Sequence, residues 1–204
     1  MKTTYTQKNV LAALFQATAF PLPTSPLAFA LVQAAYGKWA ASTAYGTTGE
    51  LVSPSTVNGH FYALTTAGTS GTTEPVWPTA PGATVTDGTC VWTEQAAAQV
   101  AGTLPEVSGG GYARATMVPS AANFPITAVT GATQNGQQAE NAAAISYGSG
   151  NTTAAWGYIV GVMVFDSAAT PNCLRVTTIS NPVQINSGDP LPQFPINDLV
   201  FEEF

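Results

Sequence analysis

Charged side chains are scarce in this sequence, and their scarcity excludes a class of partner. Lysine, arginine, aspartate and glutamate make up 8% of the 204 residues, against about 25% in an average soluble protein. The five basic residues are scattered singly, whereas a protein that neutralises nucleic-acid phosphates needs clustered Lys or Arg. The net charge is −6, so we expect no nucleic acid as a partner.

Histidine and cysteine are also rare. The chain has one histidine, His60, and two cysteines, Cys90 and Cys173. A zinc site takes four nitrogen or sulfur ligands, or three and a water, so we expect no metal. We find neither a phosphate-binding loop nor a dinucleotide fingerprint and expect no cofactor. We interpret the cysteines as inert thiols of a protein made in the cytosol.

Long apolar runs are missing as well. The longest candidate, residues 27–35, is too short to span a bilayer. The N-terminus carries no continuous apolar region followed by a small-residue cleavage site, so we predict no signal peptide. We therefore expect no membrane partner.

The residues that are present favour a mainly β fold. Hydrophobic residues make up 45% of the chain, and 19 glycines and 15 prolines indicate frequent turns. We predict an antiparallel, jelly-roll-like β-sandwich with one short N-terminal helix and an inserted small β module. Thr6 is the predicted helix cap. We expect the apolar stripe of the helix to pack on the sheet; it consists of Val10, Leu11, Leu14 and Phe15.

Two segments are apolar on both faces and are predicted to be buried strands, residues 27–35 and 157–166. Turn signals such as Asn135-Gly136 separate the remaining strand candidates. These candidates are residues 112–118, 141–147, 173–180, 182–186 and 196–203.

Residues 36–98 differ in composition from the rest of the chain and hold three of the four tryptophans. Asn58-Gly59 and Asp87-Gly88 each lie between two apolar runs and predict two hairpins. We predict that residues 36–98 form a β-hairpin module that projects outward. Residues 1–35 and 99–204 would form the β-sandwich into which this module is inserted, with the Ala-rich residues 95–105 as a return linker.

The sequence offers little catalytic chemistry. His60 is the single possible imidazole base, and Asp87, Asp166 and Asp189 are explained by turn stabilisation. No pair of carboxylates has a recognisable spacing. We predict no catalytic residue and no enzyme, and keep a polysaccharide hydrolase as a minor alternative.

The aromatic residues of the segment 36–98 are the side chains in it that most suggest a binding function. Sugar rings stack on exposed tryptophan and tyrosine faces, so Trp39, Tyr45 and Trp77 are candidate glycan-binding residues. The same side chains could instead fill the core of the module. The core interpretation is favoured for Tyr62 and Trp92 and left open for Trp39 and Trp77.

Four segments outside residues 36–98 carry a resemblance to a known family: Glu106-Val-Ser-Gly-Gly-Gly-Tyr-Ala-Arg114, Ala154-Ala-Trp-Gly157, Val164-Phe-Asp166 and Asn186-Ser-Gly-Asp189. They resemble a family of tailed-bacteriophage virion proteins, whose members are called tail-fibre or head-decoration-like. In that family a strand resembling residues 27–32 runs almost directly into a Glu-Val-Ser-Gly motif. Within residues 36–98, the spaced residues Trp39, Tyr45, Asn58–Tyr62, Gly68–Gly71, Trp77-Pro78 and Val91–Thr93 resemble a module of phage tail and fibre proteins and, loosely, small chitin-type carbohydrate-binding modules.

The resemblance implies a non-enzymatic structural protein on the surface of a phage virion. Our first hypothesis is a decoration or cement protein docked on the capsid. The alternative is a tail-fibre adhesin whose aromatic module binds host surface glycans. The expected partners are phage capsid or tail proteins and further copies of the chain, as a homotrimer. The candidate virion interface consists of Leu11, Leu14, Phe15, Arg114, Phe201 and Phe204.

Overall fold

The computed structural model describes residues 1–130 and 135–203, and the fold is mainly β, as predicted. Two helices and fifteen strands are present in this part of the chain. The helices are α1 (Thr4–Phe15) and α2 (Ala96–Ala101). The strands are β1 (Leu27–Ala34), β2 (Ala44–Tyr45), β3 (Leu51–Val52), β4 (Tyr62–Thr66), β5 (Gly68–Thr69), β6 (Thr84–Asp87), β7 (Cys90–Glu94), β8 (Ala115–Met117), β9 (Ile126–Thr130), β10 (Asn135–Glu140), β11 (Ile145–Ser146), β12 (Gly157–Phe165), β13 (Cys173–Ile185), β14 (Gln193–Phe194) and β15 (Val200–Glu203).

The main sheet has the strand order β13-β12-β1-β8, and all its pairs are antiparallel. Its central strands β1 and β12 are the two segments that are apolar on both faces, so their prediction is confirmed. Phe29 and Leu31 pack into one core, whereas Ala30 and Val32 pack into a second core on the opposite face. This alternation follows from the two-residue period of a strand.

Helix α1 differs from its prediction in two respects. It begins at Thr4 and is capped by the side chain of Thr3, three residues before the predicted cap at Thr6. None of the residues 4–15 is buried, so the expected packing of its apolar stripe on the sheet is wrong. The helix is instead attached through its first turn, where Thr6 Oγ1 donates to the Leu174 carbonyl at 2.7 Å.

Residues 44–94 form two further sheets, with strand orders β3-β4-β7-β6 and β2-β5. Strands β6 and β7 form the predicted hairpin, with Gly88 (φ +61°) as the first of two loop residues. Strands β3 and β4 also pair, but residues 53–61 connect them. The predicted two-residue turn at Asn58-Gly59 is therefore wrong. The Asn58 side chain accepts from the His60 amide instead.

The second half of the chain contains other departures from prediction. Residues 95–105 include helix α2, which ends at Gly102 in the left-handed conformation, so they are more than a linker. Asn135-Gly136 lies within β10 rather than in a turn. The two strands predicted over 173–186 are one strand, β13, with a bulge opposite Ile159 and Gly161.

A third core lies entirely within residues 36–98 and is aromatic. The second core joins this segment to the main sheet, because Leu51 and Phe61 pack there with Val160 and Met163. Phe61 lies directly over Gly161, where a Cβ would stand 2.6 Å from the Phe61 ring. The division into an inserted module and a host sandwich stays a prediction.

Candidate functional site

Six aromatic side chains of residues 36–98 pack together, and we call them the aromatic cluster. Trp92 lies at the centre and is fully buried. The Tyr45 ring meets it edge-on at 4.9 Å, and the Trp77 ring lies 6.0 Å away. The members are Tyr36, Trp39, Tyr45, Tyr62, Trp77 and Trp92.

A buried carboxylate holds two of the indoles. Asp87 Oδ2 accepts from Trp39 Nε1 at 2.7 Å and from Trp92 Nε1 at 3.0 Å. The other oxygen, Oδ1, accepts from the Gly71 amide at 2.7 Å. Three donors therefore replace the water that this carboxylate loses on burial. Asp87 ends β6 as predicted, but its main contacts are these donors.

Glu74 holds the third indole of the cluster. Its Oε1 accepts from Trp77 Nε1 at 2.7 Å and from the Ser55 amide at 2.8 Å, and its Oε2 accepts from the Ser55 hydroxyl. The Trp77 ring also lies 4.5 Å from the Tyr62 ring. The contacts with Glu74 and Tyr62 therefore set the orientation of the Trp77 indole.

The three glycan candidates differ in exposure. Trp39 and Trp77 are half-buried. Tyr45 is only 3% exposed, and its hydroxyl accepts from the Ala40 amide at 3.0 Å. Burial raises the pKa of Tyr45. The structure thus brings all three into one cluster, in which Trp39 and Trp77 are more exposed than Tyr45.

His60 lies at the edge of this region beside a buried carboxylate. Its Nδ1 is 2.7 Å from Glu94 Oε1, and Glu94 Oε2 accepts from the Gly82 amide at 3.1 Å. Gln99 of α2 donates to the nearby Gly59 carbonyl at 3.0 Å. These contacts fix the loop before β4, which agrees with a structural role for His60.

Arg114 contacts Glu106, so the two ends of the Glu-Val-Ser-Gly-Gly-Gly-Tyr-Ala-Arg segment meet. Its guanidinium forms two hydrogen bonds to Glu106, at 2.8 and 2.7 Å, and lies over the Phe165 ring. The hydrogen bond to Glu106 raises the pKa of Arg114. Tyr112 also donates to Glu106 at 2.9 Å, and burial raises its pKa. The carboxylate therefore ties both ends of the segment together.

The other predicted interface residues fall in different places. Leu11, Leu14 and Phe15 are exposed on α1. Phe201 packs half-buried against the first core, with the Arg175 guanidinium 5.7 Å from its ring. Phe204 lies outside the described residues.

The main sheet is flanked by two open grooves. One, of about 750 Å³, is lined by Thr178, Asn181, Gln193 and Phe194 among others. The second, of about 700 Å³, is largely apolar and is lined by Leu27, Phe124, Ile126 and Phe201 among others.

The described residues, 1–130 and 135–203, hold neither a metal-binding group of side chains nor a membrane-spanning helix. In this part of the chain, no three His, Cys, Asp or Glu side chains are grouped so that they could bind a metal ion. Within the same residues, no helix has the length and apolar character needed to cross a membrane.

The protein is mainly β and contains a largely buried aromatic cluster within residues 36–98. Residues 82–202 match the family described as Podophage GP4 fiber I protein gp80, and the chain belongs to this family. The match begins two residues before β6 and includes Asp87 and the Glu106–Arg114 pair, whereas Trp39, Glu74 and Trp77 lie outside it. No curated protein matches the chain.

Sequence reasoning missed the carboxylates that organise the cluster. Asp87 contacts Trp39 and Gly71, which lie 48 and 16 residues away, and no sequence spacing predicts such contacts. The contact of Glu74 with Trp77 could have been predicted from the sequence, because Glu74 precedes Trp77 by only three residues. An acid so close to a half-buried indole is a candidate partner for its N–H.

Proposed function

We propose that this chain is a non-enzymatic tail-fibre protein of a phage virion, and that its aromatic cluster binds a host surface glycan. The observation that carries the proposal is the match of residues 82–202 to a podophage fibre family. A fibre position also favours the adhesin hypothesis over the capsid-decoration hypothesis, because fibres are the virion parts that reach toward the host.

The cluster supports the glycan part of the proposal. A saccharide packs its apolar C–H face on an aromatic ring and directs its hydroxyls to polar groups around it. Trp39 and Trp77 are half-buried residues whose indole N–H groups donate to Asp87 and Glu74. A ring held in place loses little conformational entropy on binding. Tyr45 supports the cluster from within.

The glycan hypothesis is tested by replacing one ring at a time. We expect Trp77→Leu to weaken binding of host-surface oligosaccharides by tenfold or more, since stacking on an aromatic ring contributes about 1–3 kcal/mol. The measurement is calorimetric titration, with the melting temperature recorded for every variant. Ile196→Ser is the matched control, because Ile196 is an exposed apolar residue outside the cluster.

Two results would contradict the glycan hypothesis. One is unchanged affinity in folded Trp39→Leu and Trp77→Leu variants. The other is absence of binding by the native chain to oligosaccharides from a strain that the phage infects. Release of reducing sugar from the host polysaccharide would instead indicate a hydrolase.

The virion position is tested by counting copies. Quantitative mass spectrometry of purified particles gives the ratio of this chain to the major capsid protein. A ratio of a few per cent or less agrees with a fibre at the tail. A ratio near one would identify a decoration protein on the capsid lattice, and absence from the particle would refute both. In the fibre we propose that the chain is a homotrimer exposed on the particle surface.

A further inference from the structure

An exposed apolar segment follows the first turns of α1, and we call residues 11–24 the apolar arm. Leu22 is 88% exposed and Phe15 is 79% exposed. Leu11, Leu14 and Phe20 also face solvent. Residues 9–24 contain no charged side chain.

The arm is attached to the body of the protein at both ends. Before it, Thr6 Oγ1 donates to the Leu174 carbonyl at 2.7 Å. At its end, the Thr24 carbonyl accepts from the Ser167 amide at 3.0 Å. The base of the arm is therefore fixed, and its apolar side chains are held away from the cores.

The exposed area is large for a single chain. With roughly 150–250 Å² for a large side chain, the five arm residues expose on the order of 500 Å². Monomeric proteins rarely expose a contiguous apolar patch above a few hundred Å². A stable interface buries about 800 Å² per partner, so the arm alone supplies more than half of one side.

The same chain carries a surface that could receive the arm, and we call it the apolar groove. It is the groove of about 700 Å³ lined by Leu27, Phe124, Ile126, Val164 and Phe201. A cavity of about 150 Å³ holds one benzene ring, so this groove has room for several side chains. Ile126 is largely exposed at the groove, and no arm residue lines it among the described residues.

We propose that the apolar arm of one copy docks into the apolar groove of a second copy. The occupant is a second copy because both surfaces are apolar, both occur on the same chain, and the arm supplies more than half of the area that one side of a stable interface needs. Four residues predicted from the sequence to form an interface lie on these two surfaces: Leu11, Leu14 and Phe15 on the arm, and Phe201 in the groove. The proposal does not depend on where the protein sits in the virion.

The docking joins two different surfaces, so the contact is heterologous. Such a contact closes into a ring when the rotation between copies permits it and otherwise grows into a filament. Each copy then uses one arm and one groove. A variant that lacks one of the two surfaces still has the other.

The test begins with the mass of the full chain by light scattering after size-exclusion chromatography. We expect the native chain to be oligomeric at micromolar concentration. We expect Phe15→Asp with Leu22→Asp, and separately Ile126→Asp, to raise the dissociation constant about a hundredfold, as for the loss of interface hot spots. All three residues are exposed in the single chain, so the variants should have the melting temperature of the native chain diluted until it is monomeric. Val76→Asp is the control, because Val76 is exposed elsewhere.

Mixing the two defective chains tests the heterologous geometry directly. The groove-deficient chain retains its arm and the arm-deficient chain retains its groove, so the mixture should form a one-to-one dimer. A monomeric native chain, or an oligomer unaffected by the arm substitutions, would overturn the proposal. Loss of assembly in both variants without complementation would also overturn it, because it would indicate contact between like surfaces.

Discussion

At the scale of single residues, Asp87 determines how the aromatic cluster is built. Its two oxygens accept from two indoles and one backbone amide, and the residue is only 3% exposed. A buried carboxylate is tolerated when hydrogen bonds replace its hydration. Hydrogen bonds to a charged group contribute about 1.5–3 kcal/mol each. One acid thus orients Trp39 and Trp92 together.

We predict that Asp87→Asn lowers the free energy of unfolding by about 3 kcal/mol. Asparagine replaces one carboxylate oxygen with an NH₂ donor, which would face the Gly71 amide or the two indole N–H groups. Urea unfolding followed by tryptophan fluorescence measures the change.

Asp198→Asn is the matched control for this substitution, because Asp198 is exposed and should change stability by less than about 0.5 kcal/mol. Equal stability of the Asp87 and Asp198 variants would show that the indole contacts do not stabilise the fold.

At the scale of elements, strand β12 of the main sheet contacts residues 36–98 through Phe61. Gly161 lies where Phe61 approaches the strand most closely. A Cβ at this position would stand 2.6 Å from both the Phe61 ring and the Thr177 carbonyl oxygen. The glycine is required for this close approach, since its backbone is not in the left-handed region.

We predict that Gly161→Ala lowers the free energy of unfolding by about 1–3 kcal/mol, the usual cost of overpacking. Gly46→Ala is the control, because a Cβ there meets no atom within 4 Å. Thermal melts of both variants give the comparison.

A double-mutant cycle with Phe61→Leu identifies the cause. The smaller side chain relieves part of the clash, so we expect a favourable coupling of about 1 kcal/mol between the two substitutions. Strict additivity would show that the backbone contact to Thr177 accounts for the whole effect.

At the scale of the whole molecule, burial raises the pKa of several cysteine and tyrosine side chains. It raises the pKa of Cys173 to about 12 and also raises the pKa of Cys90. It further raises the pKa of the buried tyrosines Tyr45, Tyr62, Tyr112 and Tyr147. The neutral form of each group is therefore favoured by the fold.

We predict that these cysteines and tyrosines contribute a constant stability near neutral pH and that their contribution falls as the solution becomes alkaline. A raised folded pKa gives stability that is fully present below the unfolded pKa, 9.0 for cysteine and 10.0 for tyrosine. That stability is lost as the pH rises through the folded pKa. Melting temperatures between pH 7 and pH 11 measure the loss.

The cysteine contribution can be separated from that of the tyrosines. Cys173→Ala should flatten the decline that begins near the unfolded pKa of cysteine, even if its melting temperature is lower throughout. A melting temperature that stays level up to pH 11 would contradict the prediction.

Part of the fold followed directly from the sequence. Residues 27–35 and 157–166 are apolar at every position that a strand would bury, so they predicted the two central strands correctly. The polar strand β10 (Asn135–Glu140) carries no such pattern, and its pairing with β9 and β15 depends on distant partners. Helix α2 was missed because six residues are too few for a clear helical period.

The sequence by itself determined the class of fold, the absence of clustered positive charge and the concentration of aromatic residues between 36 and 98. These properties depend on composition and on local periodicity, which a linear chain displays. The tertiary structure alone decided that Asp87 and Glu74 hold the indoles, that Tyr45 is buried, and that the stripe of α1 faces solvent. Each of these depends on residues distant in the chain being brought within a few ångströms, and local periodicity carries no record of such contacts.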